Sequence, residues 1–153
     1  MTGGLQALRA GGQRIITRSE EETESLGQEL AGYGELEALA LCGDLGAGKT
    51  ALVRGLARGL GAGGVVQSPT FVLARRYDGR RPLWHFDFYR LEKDSVLEAL
   101  DWPPRDPGAG VAAEWADRFP EVFPPGTLWV RMTLKDRECR EVSFSGGPGE
   151  GTR

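Results

Sequence analysis

The stretch Gly43-Asp44-Leu45-Gly46-Ala47-Gly48-Lys49-Thr50 fits G-x-x-x-x-G-K-[ST] at every fixed position. Its flanks decide the fold. Leu39–Cys42 is a short apolar run that stops at Gly43, as a buried parallel strand does. From Lys49 a helix follows, with Leu52, Val53, Leu56 and Leu60 on one face and Arg54 and Arg58 on another, until Gly61, Gly63 and Gly64 end it. Strand, glycine loop and helix in this order make a phosphate cradle. Glycines let successive backbone N–H groups turn inward without a Cβ in the way, and the helix points its positive N-terminus at the same oxygens. Lys49 is placed to reach β- and γ-phosphates, and the Thr50 hydroxyl to ligate Mg²⁺.

A looser dinucleotide pattern, G-x-G-x-x-[GA], also fits Gly46-Ala47-Gly48-Lys49-Thr50-Ala51. It needs an acid about 20 positions on for the ribose, and residues 65 to 74 contain none. The phosphate-loop reading stands.

Outward from the loop, Gln13–Thr17 reads as a short strand. Ser19 is a helix N-cap with Glu20, Glu21 and Glu22 in the first turn, opening a helix over roughly 20–33 that carries Leu26 and Leu30 inward. Val72–Tyr77 and Leu83–Phe88 pair as strands around Asp78-Gly79. A short helix is predicted from Asp94 or Ser95 to near Leu100, a proline loop over 102–108, and a strand over Val111–Ala113. Leu128–Leu134 alternates, with Leu128, Val130, Met132 and Leu134 facing inward, and pairs with Glu141–Phe144. The expected fold is α/β: a single P-loop NTPase-like domain over residues 13–144, with a mixed, partly parallel sheet flanked by helices. Residues 1–12 are expected to be a loosely ordered N-terminus, and 145–153 a flexible glycine-rich tail.

Bulk composition bounds the function. At 153 residues the chain has room for one domain and its core. A net charge of -3 excludes a basic field able to hold nucleic acid unaided. Glycine supplies 23 residues, about twice the typical share. Eight lie near the ends and eight between Gly43 and Gly64, where Gly55 and Gly59 allow close packing. Cys42 and Cys139 match no zinc spacing, and Cys42 reads as a small buried strand residue. With no long apolar run at the start, a reducing cytoplasm is the expected location and no membrane contact is foreseen.

A phosphate loop needs a second acid on the metal side and a group to orient the attacking oxygen. Two acids close apolar strands: Asp87 after Leu83-Trp84-His85-Phe86, and Glu114 after Val111-Ala112-Ala113. Spacing leaves open which of them holds Mg²⁺. His85, the only histidine, shares a face with Asp87, and a structural hydrogen bond outweighs catalysis there. Ser68-Pro69-Thr70-Phe71 is a stiff polar loop in which Thr70 can sense a γ-phosphate.

Taken together, the phosphate loop, Ser68-Pro69-Thr70-Phe71, His85-Phe86-Asp87-Phe88-Tyr89-Arg90-Leu91 and Glu114-Trp115 resemble the TsaE (YjeE) family, the small P-loop ATPases of bacterial tRNA threonylcarbamoyladenosine synthesis. Order and spacing agree over residues 13 to 134. The resemblance implies ATP and Mg²⁺ as cofactors, with Thr50 and Glu114 on the metal and Asp87 orienting the attacking water. It also places Trp115 near the nucleotide, makes residues 68–71 nucleotide-responsive, and puts the adenine near Ser19–Thr23, which includes Glu20. Docking onto the TsaB–TsaD pair is implied as well. The chain departs from the family pattern at Ala116, where Pro is common, and at Ala113, where a large aliphatic is usual.

Two other functions compete with such an ATPase. A small-molecule phosphotransferase needs an arginine-bearing lid, for which only Arg75, Arg76, Arg80 and Arg81 are available. A GTP-dependent switch needs Asn-Lys-x-Asp, and Thr133-Leu134-Lys135-Asp136 fills only part of it.

Overall fold

The strand before the glycine loop, Ala38–Gly43, is buried at every position and lies fourth of the seven described strands, as its unbroken apolar run requires. The structure, a computed structural model, describes residues 2–34, 36–44, 46–62, 74–93, 97 and 102–148. In chain order the elements are α1 (Thr2–Arg9), β1 (Arg14–Thr17), α2 (Glu20–Leu30), β2 (Ala38–Gly43), α3 (Lys49–Gly59), β3 (Ala74–Tyr77), β4 (Leu83–Asp87), β5 (Gly110–Glu114), β6 (Leu128–Leu134) and β7 (Arg140–Ser145). Two 3₁₀ turns, Ala116–Arg118 and Pro120–Val122, lie between β5 and β6. Leu45, Thr70 with the rest of the 68–71 loop, and most of the short helix expected near 94–100 lie outside the described residues.

The strands form one sheet in the order β1-β7-β6-β2-β5-β4-β3. β2 runs parallel to both β5 and β6, and β4 parallel to β5. The pairs β1–β7, β6–β7 and β3–β4 are antiparallel. The sheet is mixed, as expected. One face packs Leu39, Leu41, Val130 and Val142 beneath Leu26 and Leu30 of α2 and Leu52 and Leu56 of α3. The other buries an aromatic cluster, with Phe86, Phe88, Trp102 and Phe123 in edge-on or tilted contact.

Three local expectations need correction. Residues 2–9 are helical, because Leu5 and Leu8 make an apolar pair one turn apart that joins the main core. At the other end, β7 runs through Ser145, whose hydroxyl donates to the carbonyl of Gly147 at 2.7 Å. Leu134 is 43% exposed, since it sits at the turn end of the β6–β7 hairpin opposite Arg140, beyond the covered residue Met132. Trp129 is buried on the opposite face against Ala40, Cys42 and Ala116.

The mid-helix glycines serve the contact between helices. A Cβ at Gly55 would collide with the backbone carbonyl of Glu24 on α2, and one at Gly27 with that of Leu52 on α3. The two backbones touch directly. That contact fixes the start of α2 beside the start of α3, and the cleft opens between these two ends.

Candidate nucleotide site

Ser19 caps α2 as read from sequence, its Oγ accepting the Glu22 amide at 3.0 Å. α3 begins without any side-chain cap, at Gly48 with φ 99°. The N–H groups of its first turn therefore have no intrahelical acceptor and face the loop. Gly43 makes the preceding bend at φ 143°, where any Cβ would strike the carbonyl oxygen of Met132. Both glycines are required by conformation.

The loop, the start of α2 and the carboxyl ends of β4 and β5 enclose a cleft of about 770 Å³. Position outside the carboxyl ends of parallel strands is where open α/β sheets bind ligands. Glu20, Gly46, Ala47, Gly48, Lys49, Thr50, Asp87, Glu114 and Trp115 all line it, so the residues singled out from four separate stretches converge. Glu20 does so while paired to Arg54 at 2.8 Å. Gly43 and Asp44 meet the same site through their carbonyls, which accept from Lys49 Nζ at 2.6 and 2.9 Å.

Lys49 is 5% exposed, and burial pulls its amine below the ordinary lysine range, against the opposing pull of Glu114, Asp117, Asp87 and Asp44. Its Nζ stands 4.0 Å from the centroid of the Trp115 ring. Trp115 is the only non-glycine residue with positive φ among the described residues, at 58°. That left-handed turn follows Glu114 directly and lays the indole over Lys49, with Tyr89 against it at 4.8 Å between centroids.

Glu114 is 3% exposed and lies opposite Asp87 in the β4–β5 register. The Thr50 hydroxyl is 3.1 Å from each of its carboxylate oxygens. Asp87, 2% exposed, accepts the Tyr89 amide at 2.9 Å. Glu114 is thus in contact with the Thr50 hydroxyl at the start of α3.

Sequence reasoning missed one wall of the cleft. Arg137, Glu138 and Arg140, from the β6–β7 turn and the start of β7, line it. Arg140 Nη1 is tied to the carbonyls of Asp136, Arg137 and Cys139, and its Nε lies 3.9 Å from where a Gly48 Cβ would be. The usable signal was parity: counting back by two from buried Val142 puts Arg140 on the loop's side of the sheet.

The arginines of the β3–β4 hairpin do not line the cleft. Arg76 pairs with Asp106 and Asp78, Arg80 donates to the carbonyl of Gly59, and Arg81 to that of Gly108. Asp136 is likewise engaged by the amides of its own turn, Glu138 and Cys139, each at 2.9 Å. Cys42 is buried, and that burial pushes its thiol up to about 12, away from thiolate chemistry.

A family model described as threonylcarbamoyl adenosine biosynthesis protein TsaE matches residues 17–142. The tRNA threonylcarbamoyladenosine biosynthesis protein TsaE of Bacillus subtilis is 38% identical over 132 residues, covering 84% of this chain and 82% of its own. The protein of that name from a Nostoc species is 39% identical over 143 residues, with 86% and 85% covered. The crystal structure of Bacillus subtilis YdiB matches with a TM-score of 0.71 at 30% identity, over 94% of this chain and 92% of that one.

Proposed function

The chain belongs to the TsaE family of tRNA threonylcarbamoyladenosine biosynthesis, and from that premise we propose that it is a Mg²⁺-dependent ATPase serving the modification complex. The observation that carries this reading is the meeting of the Thr50 hydroxyl with the Glu114 carboxylate at the start of the uncapped helix α3. Two hard oxygen donors are a usual protein share for Mg²⁺, which takes its remaining ligands from phosphates and water. Among the described residues no group of three His, Cys, Asp or Glu side chains converges into a self-sufficient cage, which suits an ion that arrives with its nucleotide. When bound, the ion supplies neutralisation of charge on the transferring phosphate.

The chain's own residues do the rest. The loop N–H groups and the first turn of α3 hold the phosphates, and Lys49 neutralises them beneath the Trp115 ring. Asp87 orients a water against the γ-phosphorus and takes up its proton; a P–O bond forms to that water, the bond to the β-phosphate oxygen breaks, and ADP and phosphate leave. Arg137 and Arg140 add positive charge to the lining of the cleft. Thr70, outside the described residues, remains the proposed γ-phosphate sensor. Arg76, Arg80 and Arg81 of the hairpin are engaged away from the cleft, which favours hydrolysis over transfer to a small-molecule acceptor that needs a lid.

TsaB–TsaD is the proposed partner, on the family resemblance, with tRNA reached through that complex in the cytoplasm. Among the described residues no helix is long and apolar enough to cross a membrane. Phosphate release measured with and without TsaB–TsaD tests the proposal. Slow basal turnover that rises with the partners and disappears in Lys49→Ala is the expected result. Fast turnover by the isolated chain with no gain from the partners, or unchanged hydrolysis in Lys49→Ala, would overturn it.

A further inference from the structure

The one histidine of the chain is a buried group that neither phosphate binding nor water orientation uses. His85 sits on β4 with no exposed surface, and its Nε2 is 2.5 Å from Oε2 of Glu114. The register explains the meeting: His85 pairs with Ala112, and Asp87 with Glu114, so all four point to the α3 side of the sheet. Glu114 is thus held from two directions, by imidazole on Oε2 and by the Thr50 hydroxyl across both oxygens.

The other ring nitrogen is informative. Nδ1 of His85 is buried and has no hydrogen-bond partner among the described residues. A carboxylate can only accept, so Nε2 must donate. A proton on Nδ1 would be a buried N–H without an acceptor, which is unfavourable. The surroundings select one tautomer, with hydrogen on Nε2 and a lone pair on Nδ1.

We infer that His85 is a positioning residue for the proposed metal site. Its Nε2–H fixes the Glu114 carboxylate in the rotation that faces Thr50 and the cleft. This is the arrangement in which an outer hydrogen bond orients a metal-binding side chain, and loss of such bonds typically weakens metal affinity by about 10- to 100-fold. The inference rests on the ATPase reading above, and its test separates the two.

The experiment measures ATP affinity with Mg²⁺ and with excess chelator, in wild type, His85→Phe and His85→Gln. Wild type should bind more tightly with Mg²⁺. His85→Phe should lose about 10-fold or more of that Mg²⁺-linked gain, while its affinity in chelator stays within about 2-fold of wild type. His85→Gln, whose amide can donate from near the Nε2 position, should recover much of the gain. A full Mg²⁺-linked gain in His85→Phe would overturn the inference, whereas absence of the gain in wild type would overturn the ATPase reading together with it. A readout independent of nucleotide is available because a single histidine gives a single imidazole pattern. Nitrogen-15 NMR of the wild-type chain should show a protonated Nε2 and an unprotonated Nδ1. The opposite tautomer would overturn the inference even if no variant folds.

Discussion

Two polar assemblies join neighbouring elements in this molecule, and they differ in what surrounds them. Glu24 of α2 meets Arg54 and Arg58 of α3 at 2.7 and 2.6 Å, and Glu20 adds a second acid to Arg54. Arg58 is 55% exposed and Glu20 64%, so water and salt compete for the outer charges of this group, while Glu24 and Arg54 are partly covered. Backbone contact through Gly27 and Gly55 holds α2 on α3 in any case. The Thr50–Glu114–His85 assembly has no such reserve. Its imidazole is fully enclosed, and an unmade hydrogen bond on the His85 side of Glu114 has no water to replace it. Exposed charge pairs are attachments with substitutes, whereas the buried trio is a single device whose parts depend on one another.

Substitutions separate the two kinds of assembly. Glu114→Gln keeps the shape, removes the charge and gives the largest expected effect, a roughly 100-fold or greater loss of Mg²⁺-dependent phosphate release. Turnover at the wild-type level would erase the distinction. Gly55→Ala comes next, because its Cβ would enter the Glu24 carbonyl. It should cost about 3 kcal/mol and lower Tm by roughly 10 °C in a thermal melt. A melt unchanged from wild type would return the α2–α3 attachment to the ion pairs. Arg58→Ala should cost less than about 1 kcal/mol, and less again at high salt, measured by urea unfolding.

The smallest expected effect is a pH dependence. The hydrogen bond from Arg54 holds the Glu24 carboxyl below its usual value of 4.5, with Arg58 and the charge on Arg54 assisting against burial. A folded-state value below the unfolded one means that this stabilisation is present above about pH 4.5 and is lost as pH falls through the depressed value. Glu24→Gln should flatten the acid limb of a stability curve slightly. An identical limb in wild type and Glu24→Gln would show that the pair contributes nothing to folding.

How far the sequence could be read follows from how local each cause is. Ser19, Gly43, Gly48 and Lys49 act on backbone within a few positions of themselves, and their roles were legible as motifs. The strand ends carrying Asp87 and Glu114 were legible and spacing left the choice between them open; the contact of Thr50 with Glu114 joins residues 64 positions apart and no local pattern shows it. Alternation put His85 on the right face and could not supply its neighbour across the sheet. Glycine counting pointed to loose order at the start and obscured Leu5 and Leu8, whose spacing of three was a helix signal. Alternation also carried Leu134 inward, since it records a strand's two faces and not where the covering layer stops.

The most direct test is a titration of ATP in the presence and absence of Mg²⁺ on wild type and Thr50→Val, which keeps the side-chain volume near Glu114 and removes the hydroxyl. Mg²⁺ should tighten binding to wild type, and that gain should disappear in Thr50→Val while chelator binding is kept. An equal Mg²⁺-linked gain in both proteins would contradict the assignment of Thr50 and Glu114 as the metal end of a nucleotide cleft.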